Sequence, residues 1–341
     1  MCAILFIFQF PLFTANAQIA GLNTLTLFDL SPSARTAGLG MDYLSFYSDD
    51  PTLALDNPSL LRDGMCRRGS FSLVSLFSGG MMGSLSYAHR FEHVGPMLFA
   101  FRFHNYGSFE GYDEEETATG KFTASDYAFT VGWGTWLDSN FTFGVTAKPV
   151  LSQYEQYSAL AMAFDLAASY FSNDRAFAAS LLARNIGAQL MTFDNTVEKL
   201  PFELSAEMSY KLKRAPFRLF LAATELQRWN LSYDDPNDPT TVLDFQNETV
   251  VRRGPFLSTV DNLFRHVLFG VELNLGRSLF ARVGYSYRQM AEMRKMDFDS
   301  FNLSGFSFGL GLRTRKLEFS YARKNYHLAQ APNYFTFAYR F

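Results

Sequence analysis

From Gly69 onward, apolar and polar residues trade places with a period of two. In YAFTVGW, Tyr127, Phe129, Val131 and Trp133 share one face while Ala128, Thr130 and Gly132 share the other. PFELSAEMSYK sets Phe202, Leu204, Ala206, Met208 and Tyr210 against Glu203, Ser205, Glu207, Ser209 and Lys211. The last nine residues, NYFTFAYRF, put Phe335, Phe337, Tyr339 and Phe341 on one side and Tyr334, Thr336, Ala338 and Arg340 on the other. Side chains of a strand alternate between its two faces, so this pattern predicts strands that are apolar on one face only.

Fourteen such segments are predicted, at about 69–77, 81–90, 94–106, 123–136, 139–152, 157–171, 175–187, 200–211, 215–229, 264–276, 278–290, 303–313, 315–323 and 333–341. Most reach about 10 residues, the length of a tilted membrane-crossing strand rather than of a globular one. Short turns at Glu92-His93, Asp138-Ser139, Asn173-Asp174, Lys213-Arg214, Gly276-Arg277 and Thr314-Arg315 alternate with longer links at 107–122, 188–199, 230–263, 291–302 and 324–332. The first hairpin, at Ser78-Gly79-Gly80, is an exception, a short link on the long-loop side. An even strand count, with short turns on one side and long loops on the other, predicts an all-β fold, a transmembrane antiparallel barrel. The last strand would then close on the first, leaving no open edge. Phe337, Tyr339 and Phe341 become the terminal insertion strand, its final ring in the interfacial girdle.

Composition agrees. The 341 residues are 48% apolar and 17% aromatic, with 37 Phe and 17 Tyr, yet mean hydropathy is only -0.05. No apolar run approaches the length of a transmembrane helix. The formal charge of -3 gives no electrostatic basis for nucleic-acid binding.

Residues 1–17 read as a signal peptide, with an apolar stretch from Ala3 to Phe13 and Ala15-Asn16-Ala17 ahead of Gln18, although no Lys or Arg precedes it. Its removal would take away Cys2 and leave Cys66 alone, with no intrachain disulfide and no partner for redox or metal chemistry.

The polar faces carry Arg102, Lys148, Asp165, Arg184, Glu203, Glu207, Arg218, Glu272, Arg282, Arg288 and Glu318. Each would be costly against lipid, so this face must be the lumen. A cross-barrel ion network is expected there, engaging an internal segment through Arg35 and Asp50. The small residues Gly132, Gly134, Ala159, Ala161, Ala163, Gly309 and Gly311 leave room for such a plug or for a channel.

The five histidines, His89, His93, His104, His266 and His327, fall in no motif with Ser or Asp, and no metal, nucleophile-elbow or phosphate-loop pattern is present. The sequence points to no enzyme and no cofactor. Loop 230–263 is entered through QRWNLSYDDPNDP, residues 227–239. It reads as a solvated acidic loop whose prolines fix turns, as a docking surface, or as a calcium site lacking the usual loop spacing. A second acidic run, Asp113 to Glu116, reads as a solvated tip that repels lipopolysaccharide. Phe109, Tyr112, Trp229, Tyr233, Asp234, Asp235, Phe245 and Phe256 are the candidate partner-binding residues of the long loops.

Residues 18–66 do not alternate. They contain SPSARTAGLG and SDDPTLALDNPSLL, in which Asn57-Pro58-Ser59 resembles the Asn-Pro-Ala-like element of FadL-like barrels, with a departure at its third position. With FHNYGSFEGYDE, SQYEQYSALAMAFDL, SLLARNIGAQL, LQRWNLSYDDPNDP, FRHVLFGVE and NYHLAQAPNYF, the segment resembles the PorQ family of the type IX secretion system. That resemblance spans essentially all of residues 18–341. It implies a hatch at 18–66, carrying Ser33, Arg35, Gly40, Asp50, Asn57 and Pro58 inside a barrel of 67–341. It further implies an outer-membrane anchor for a PorZ-like surface protein, in a complex with a PorU-like sortase and a PorV-like barrel. The competing expectation is a FadL-like transporter of small hydrophobic molecules, which needs a continuous apolar pocket and a sideways opening in the wall.

Overall fold

The computed structural model describes residues 26–28, 30–76, 79–112, 117–193, 197–231, 242–244, 249–251, 255–276, 278–293, 303–325 and 331–341. The signal-peptide segment 1–17 lies outside the described residues, as do Asp113 to Glu116, Tyr233, Asp234, Asp235 and Phe245.

Among the described residues sixteen strands follow in chain order: β1 (Arg68–Ser75), β2 (Met81–Phe91), β3 (Gly95–Tyr112), β4 (Ala118–Trp136), β5 (Phe141–Tyr154), β6 (Tyr157–Phe171), β7 (Phe177–Met191), β8 (Glu203–Lys211), β9 (Phe217–Ala223), β10 (Val242–Asp244), β11 (Thr249–Val251), β12 (Val267–Leu275), β13 (Leu279–Ser286), β14 (Phe306–Arg313), β15 (Leu317–Lys324) and β16 (Asn333–Arg340). Strands β10 and β11 pair only with each other; the other fourteen form one closed antiparallel barrel. Closure is the pairing of β1 with β16, from Arg68 opposite Arg340 to Ser75 opposite Asn333.

The period-two pattern decides which face goes where. Leu85, Phe129, Leu181 and Leu310 stand exposed outside, and cross-strand rings stack between them. Phe319 meets Phe337 with centroids 4.8 Å apart, Tyr285 meets Phe306 at 4.9 Å and Phe101 meets Phe129 at 5.1 Å. So large an apolar belt cannot face water; its solvent is lipid. At the short-turn end, Phe341 packs on Tyr339 (4.9 Å) and Tyr87 (6.1 Å), and its amide donates to the Arg67 carbonyl at 3.0 Å. Replacing Phe341 with Ser removes this ring cluster from the closing seam. The folded, heat-modifiable band in the membrane fraction should fall, and an unchanged band would contradict this account of the seam.

Several predicted bounds move. Of the predicted link 107–122, residues 107–112 and 118–122 are strand, because alternation continues along them: Phe109 stacks on Phe122 at 5.5 Å and Glu110 sits opposite Lys121, after one register shift between Asn105 and Ser108. Strands β5 and β6 meet in a tight turn at Glu155 (φ 55°) and Gln156, on the long-loop side. The ninth strand stops at Ala223, shortly before Glu225 turns to φ 56°. Residues 264–266 belong to a helix that opens on a proline, and 287–290 begin another, whose first turn is capped by Ser286 accepting from Gln289 N–H. Arg288 therefore lies on that second helix, pairs with Glu292 at 2.9 Å, and is no part of the strand wall.

Inside the barrel lie helices α1 (Ala34–Gly38) and α2 (Pro51–Asp56), followed by 3-10 turns at Pro58–Leu60 and Asp63–Met65. The helices outside the plug are α3 (Pro255–His266) and α4 (Tyr287–Glu292). Helices as short as α1 and α2 do not hold alone in water; the wall holds them. The main apolar core is the plug's Leu39, Leu44, Leu53, Leu60 and Leu61 packed against Leu98, Ala178, Phe220 and Leu268 of the strands. The core of the molecule is thus its lumen.

Candidate functional site

The plug is seated first by backbone. Helix α1 ends in a Schellman motif: Gly40 N–H donates to the Ala37 carbonyl at 2.9 Å and Met41 N–H to Thr36 at 3.2 Å, with Gly40 at φ 68°. The opposite end of α1 borrows a cap from the wall, since the Ala34 amide donates to Thr336 Oγ1 at 2.9 Å. Ser33 donates its hydroxyl to Thr52 rather than capping the helix. For α2 the cap is internal, with Asp50 Oδ1 accepting from the Thr52 amide at 3.0 Å.

Wall glycines meet these turns. A Cβ on Gly144 would lie 2.2 Å from the Pro58 carbonyl carbon, one on Gly284 2.1 Å from that of Leu39, and one on Gly309 3.0 Å from the Cα of Gly38. Those positions leave no room for a side chain, because plug backbone occupies the space a Cβ would need. Beside Pro58, a polar cluster joins plug and wall. Asn57 Nδ2 donates to Ser180 at 3.1 Å, Ser59 donates to Asn57 Oδ1 at 2.6 Å, and the Ser59 and Ser169 hydroxyls lie 2.5 Å apart.

Charge fixes the plug in three directions. Arg35 is buried, lies over the Phe46 ring at 4.5 Å, and pairs with Glu272 of β12 at 3.1 Å, Asp50 at 3.5 Å and Glu318 of β15 at 3.8 Å. Glu272 also takes the Arg282 guanidinium at 2.8 Å. Asp56 is ion-paired to Arg102 of β3, and Asp42 to Lys324 of β15 at 3.5 Å. A second buried group lies in the wall: Lys148 with Asp165 at 2.6 Å and with Asn185 at 2.6 Å, near Arg184, which pairs with Glu203 at 3.6 Å and donates to the Phe28 carbonyl at 3.1 Å. Such pairing offsets the desolvation cost of burying these charges.

At the short-turn end, a cavity of about 410 Å³ opens between plug residues 46–51 and the ends of β1, β8, β9 and β12–β16. Its lining is mainly ionic, including Arg68, Lys211, Arg218 and Arg340. Outside the lumen, the exposed turn acid Asp174 pairs with Lys213 at 2.9 Å; hydrogen bonds from Ser172, Lys213 and the Ala176 amide hold its carboxyl well below the usual carboxylate range.

The candidate loop residues whose side chains are described, Phe109, Tyr112 and Trp229, do not converge. Phe109 and Tyr112 stand on the β3–β4 hairpin, where Tyr112 donates to Glu110 at 3.0 Å. Trp229 follows β9, with β4 to β8 in between. Its ring is exposed and stacks on His266 at 5.9 Å, while its carbonyl accepts from Asn262 Nδ2 at 2.7 Å. Phe256 belongs to α3, and its side chain lies outside the described residues. Phe337, Tyr339 and Phe341 face outward, as their alternation requires. Sequence reasoning passed over Gly144 and Gly284, legible only as glycines on a lumen face, and over Asn262, which the amphipathic spacing of α3 could have flagged; His266 it named only as a histidine in no motif.

A closed, lipid-facing barrel filled by its own N-terminal segment defines a membrane-spanning β-barrel with an internal plug. Among solved structures the chain is similar to the TodX deltaS2S3 mutant monoaromatic hydrocarbon channel, at 10% identity and TM-score 0.55, over 91% of this chain and 99% of that one. The Pseudomonas putida toluene transporter TodX aligns at 10% identity and TM-score 0.48 over 90% and 96% of the two chains. A Pseudomonas aeruginosa FadL homologue aligns at 11% identity and TM-score 0.46 over 90% and 98%. The first of these shows a common fold. No protein-family description and no curated protein matches the chain, so the resemblance to the PorQ family finds no support there.

Proposed function

We propose that this chain is an outer-membrane barrel that works as a plugged, non-enzymatic scaffold, anchoring a PorZ-like surface protein of the type IX secretion system. A PorU-like sortase and a PorV-like barrel are the further partners of the same assembly. The observation that carries the reading is the bolting of the plug. Ion pairs to β3, β12 and β15, and plug backbone seated on wall glycines, suit a permanent filling better than a hatch that cycles. The family resemblance of the sequence supplies the partner.

A second reading is favoured by the fold. TodX is a monoaromatic hydrocarbon channel, and a chain of the same architecture would pass small hydrophobic molecules across the outer membrane. That requires the plug to yield, and it is the reading nearer to the solved structures.

A mild-detergent pull-down of the tagged barrel separates the two, comparing the unmodified chain with a deletion of residues 232–256. Recovery of a large surface protein, lost on deletion, is the expected result. Recovery of the barrel alone, with a co-purified apolar ligand, would overturn the scaffold in favour of transport.

A further inference from the structure

The cavity at the short-turn end holds cations that its acids leave unneutralised. Each acid on its lining is already engaged: Asp49 by Arg62 and Arg68, Asp50 by Arg35, Glu318 by Arg313, and Glu272 by Arg35 and Arg282. Arg218 is left over. It is only 7% exposed, lines the cavity, donates to Ser209 Oγ at 3.3 Å, and has no carboxylate within ion-pair distance among the described residues. Its neighbour Glu272, directly across on β12, is held by the two other guanidinium groups.

Register makes the excess sharper. On β8 and β9, Lys211 sits directly opposite Arg218, and on β1 and β16 Arg68 sits directly opposite Arg340. Like charges facing across a ladder are destabilising, and both pairs line this one cavity. The side chains of Lys211 and Arg340 have no partner among the described residues. Arg68 already has Asp49 as its partner, so an anion beside Lys211 and Arg218 relieves the repulsion that no acid of the lining answers, and guanidinium forks suit a tetrahedral oxyanion.

We propose that this cavity, on the periplasmic side of the barrel, is a binding site for a phosphate-bearing anion held by Arg218 and Lys211, with Arg340 on the facing wall. The volume of about 410 Å³ fits a small phosphorylated group. Its phosphate comes from a soluble periplasmic molecule or from a phospholipid headgroup entering at the rim.

The test is calorimetric titration of the full chain with pyrophosphate, in nanodiscs of a galactolipid that carries no phosphate. One saturable site is expected, weakened roughly 10- to 100-fold in Arg218→Gln, the range for losing a charge-assisted contact. Lys211 is exposed, so Lys211→Gln keeps the test open if Arg218→Gln fails to fold, and it too should bind more weakly. Repeating the titration with phosphatidylglycerol in the disc assigns the source: competition marks a headgroup, and unchanged affinity marks a soluble ligand. No saturable binding, or equal binding by the wild type and either variant, overturns the proposal.

Discussion

Gly144→Leu is expected to drive the plug from its seat and turn a sealed barrel into a conducting one. The new Cβ would lie 2.2 Å from the Pro58 carbonyl carbon and 2.4 Å from the Ser59 nitrogen. Both are backbone atoms, so no rotamer change relieves the clash. Overpacking against side chains typically costs about 1–3 kcal/mol, and backbone yields less readily. The wall should hold, because Gly144 joins β4 and β6 through main-chain pairing that a leucine retains. What gives is the turn at Asn57-Pro58-Ser59, with its bonds to Ser169 and Ser180. Heat-modifiability should survive while protease sensitivity appears within residues 30–66. A plug as protected as in the wild type would show that the turn is not seated there.

Glu272→Gln should produce the largest loss of stability of any single charge change in the lumen. The carboxylate serves Arg35 of the plug and Arg282 of the neighbouring strand at once, all three nearly inaccessible to water. Removing it strands two buried guanidinium groups. Breaking a buried pair costs about 3–5 kcal/mol, and Arg35 keeps only the longer contacts to Asp50 and Glu318. Denaturant unfolding in detergent should show the midpoint falling by that equivalent. The exposed pair of Arg90 and Asp63 is the control, where Asp63→Asn should change little. A shift of less than about 1 kcal/mol for Glu272→Gln, in the range of surface pairs, would mean that water reaches the network.

The barrel was legible because lipid outside and charge inside impose opposite demands on alternate residues, and those demands appear in every strand. Fourteen segments and the β1–β16 closure follow from that pattern. Strand ends were less legible. At 107–122 a polar, glycine-containing composition resembled a loop, yet the pairing of Phe109 with Phe122 and Glu110 with Lys121 carried the hairpin on. At 264–266 and 287–290, periods of 2 and 3.6 cannot be separated over so few residues. The plug segment stood out by its lack of alternation. Its contacts did not, since nothing local to Gly144 announces Pro58, and the pairing of Arg35 with Glu272 spans 237 positions. Arg218, without an ion pair among the described residues, was hidden for the same reason: its charge was visible, but the engagement of Glu272 by Arg35 and Arg282 was not.

Planar-bilayer recording of the purified, unmodified chain tests the central claim most directly. A plug bolted to β3, β12 and β15 predicts a silent membrane at ordinary holding potentials, with channel steps appearing only when the seat is broken, as in Gly144→Leu. Steady open-channel conductance from the unmodified chain would contradict a permanently filled lumen and return the molecule to the transporters.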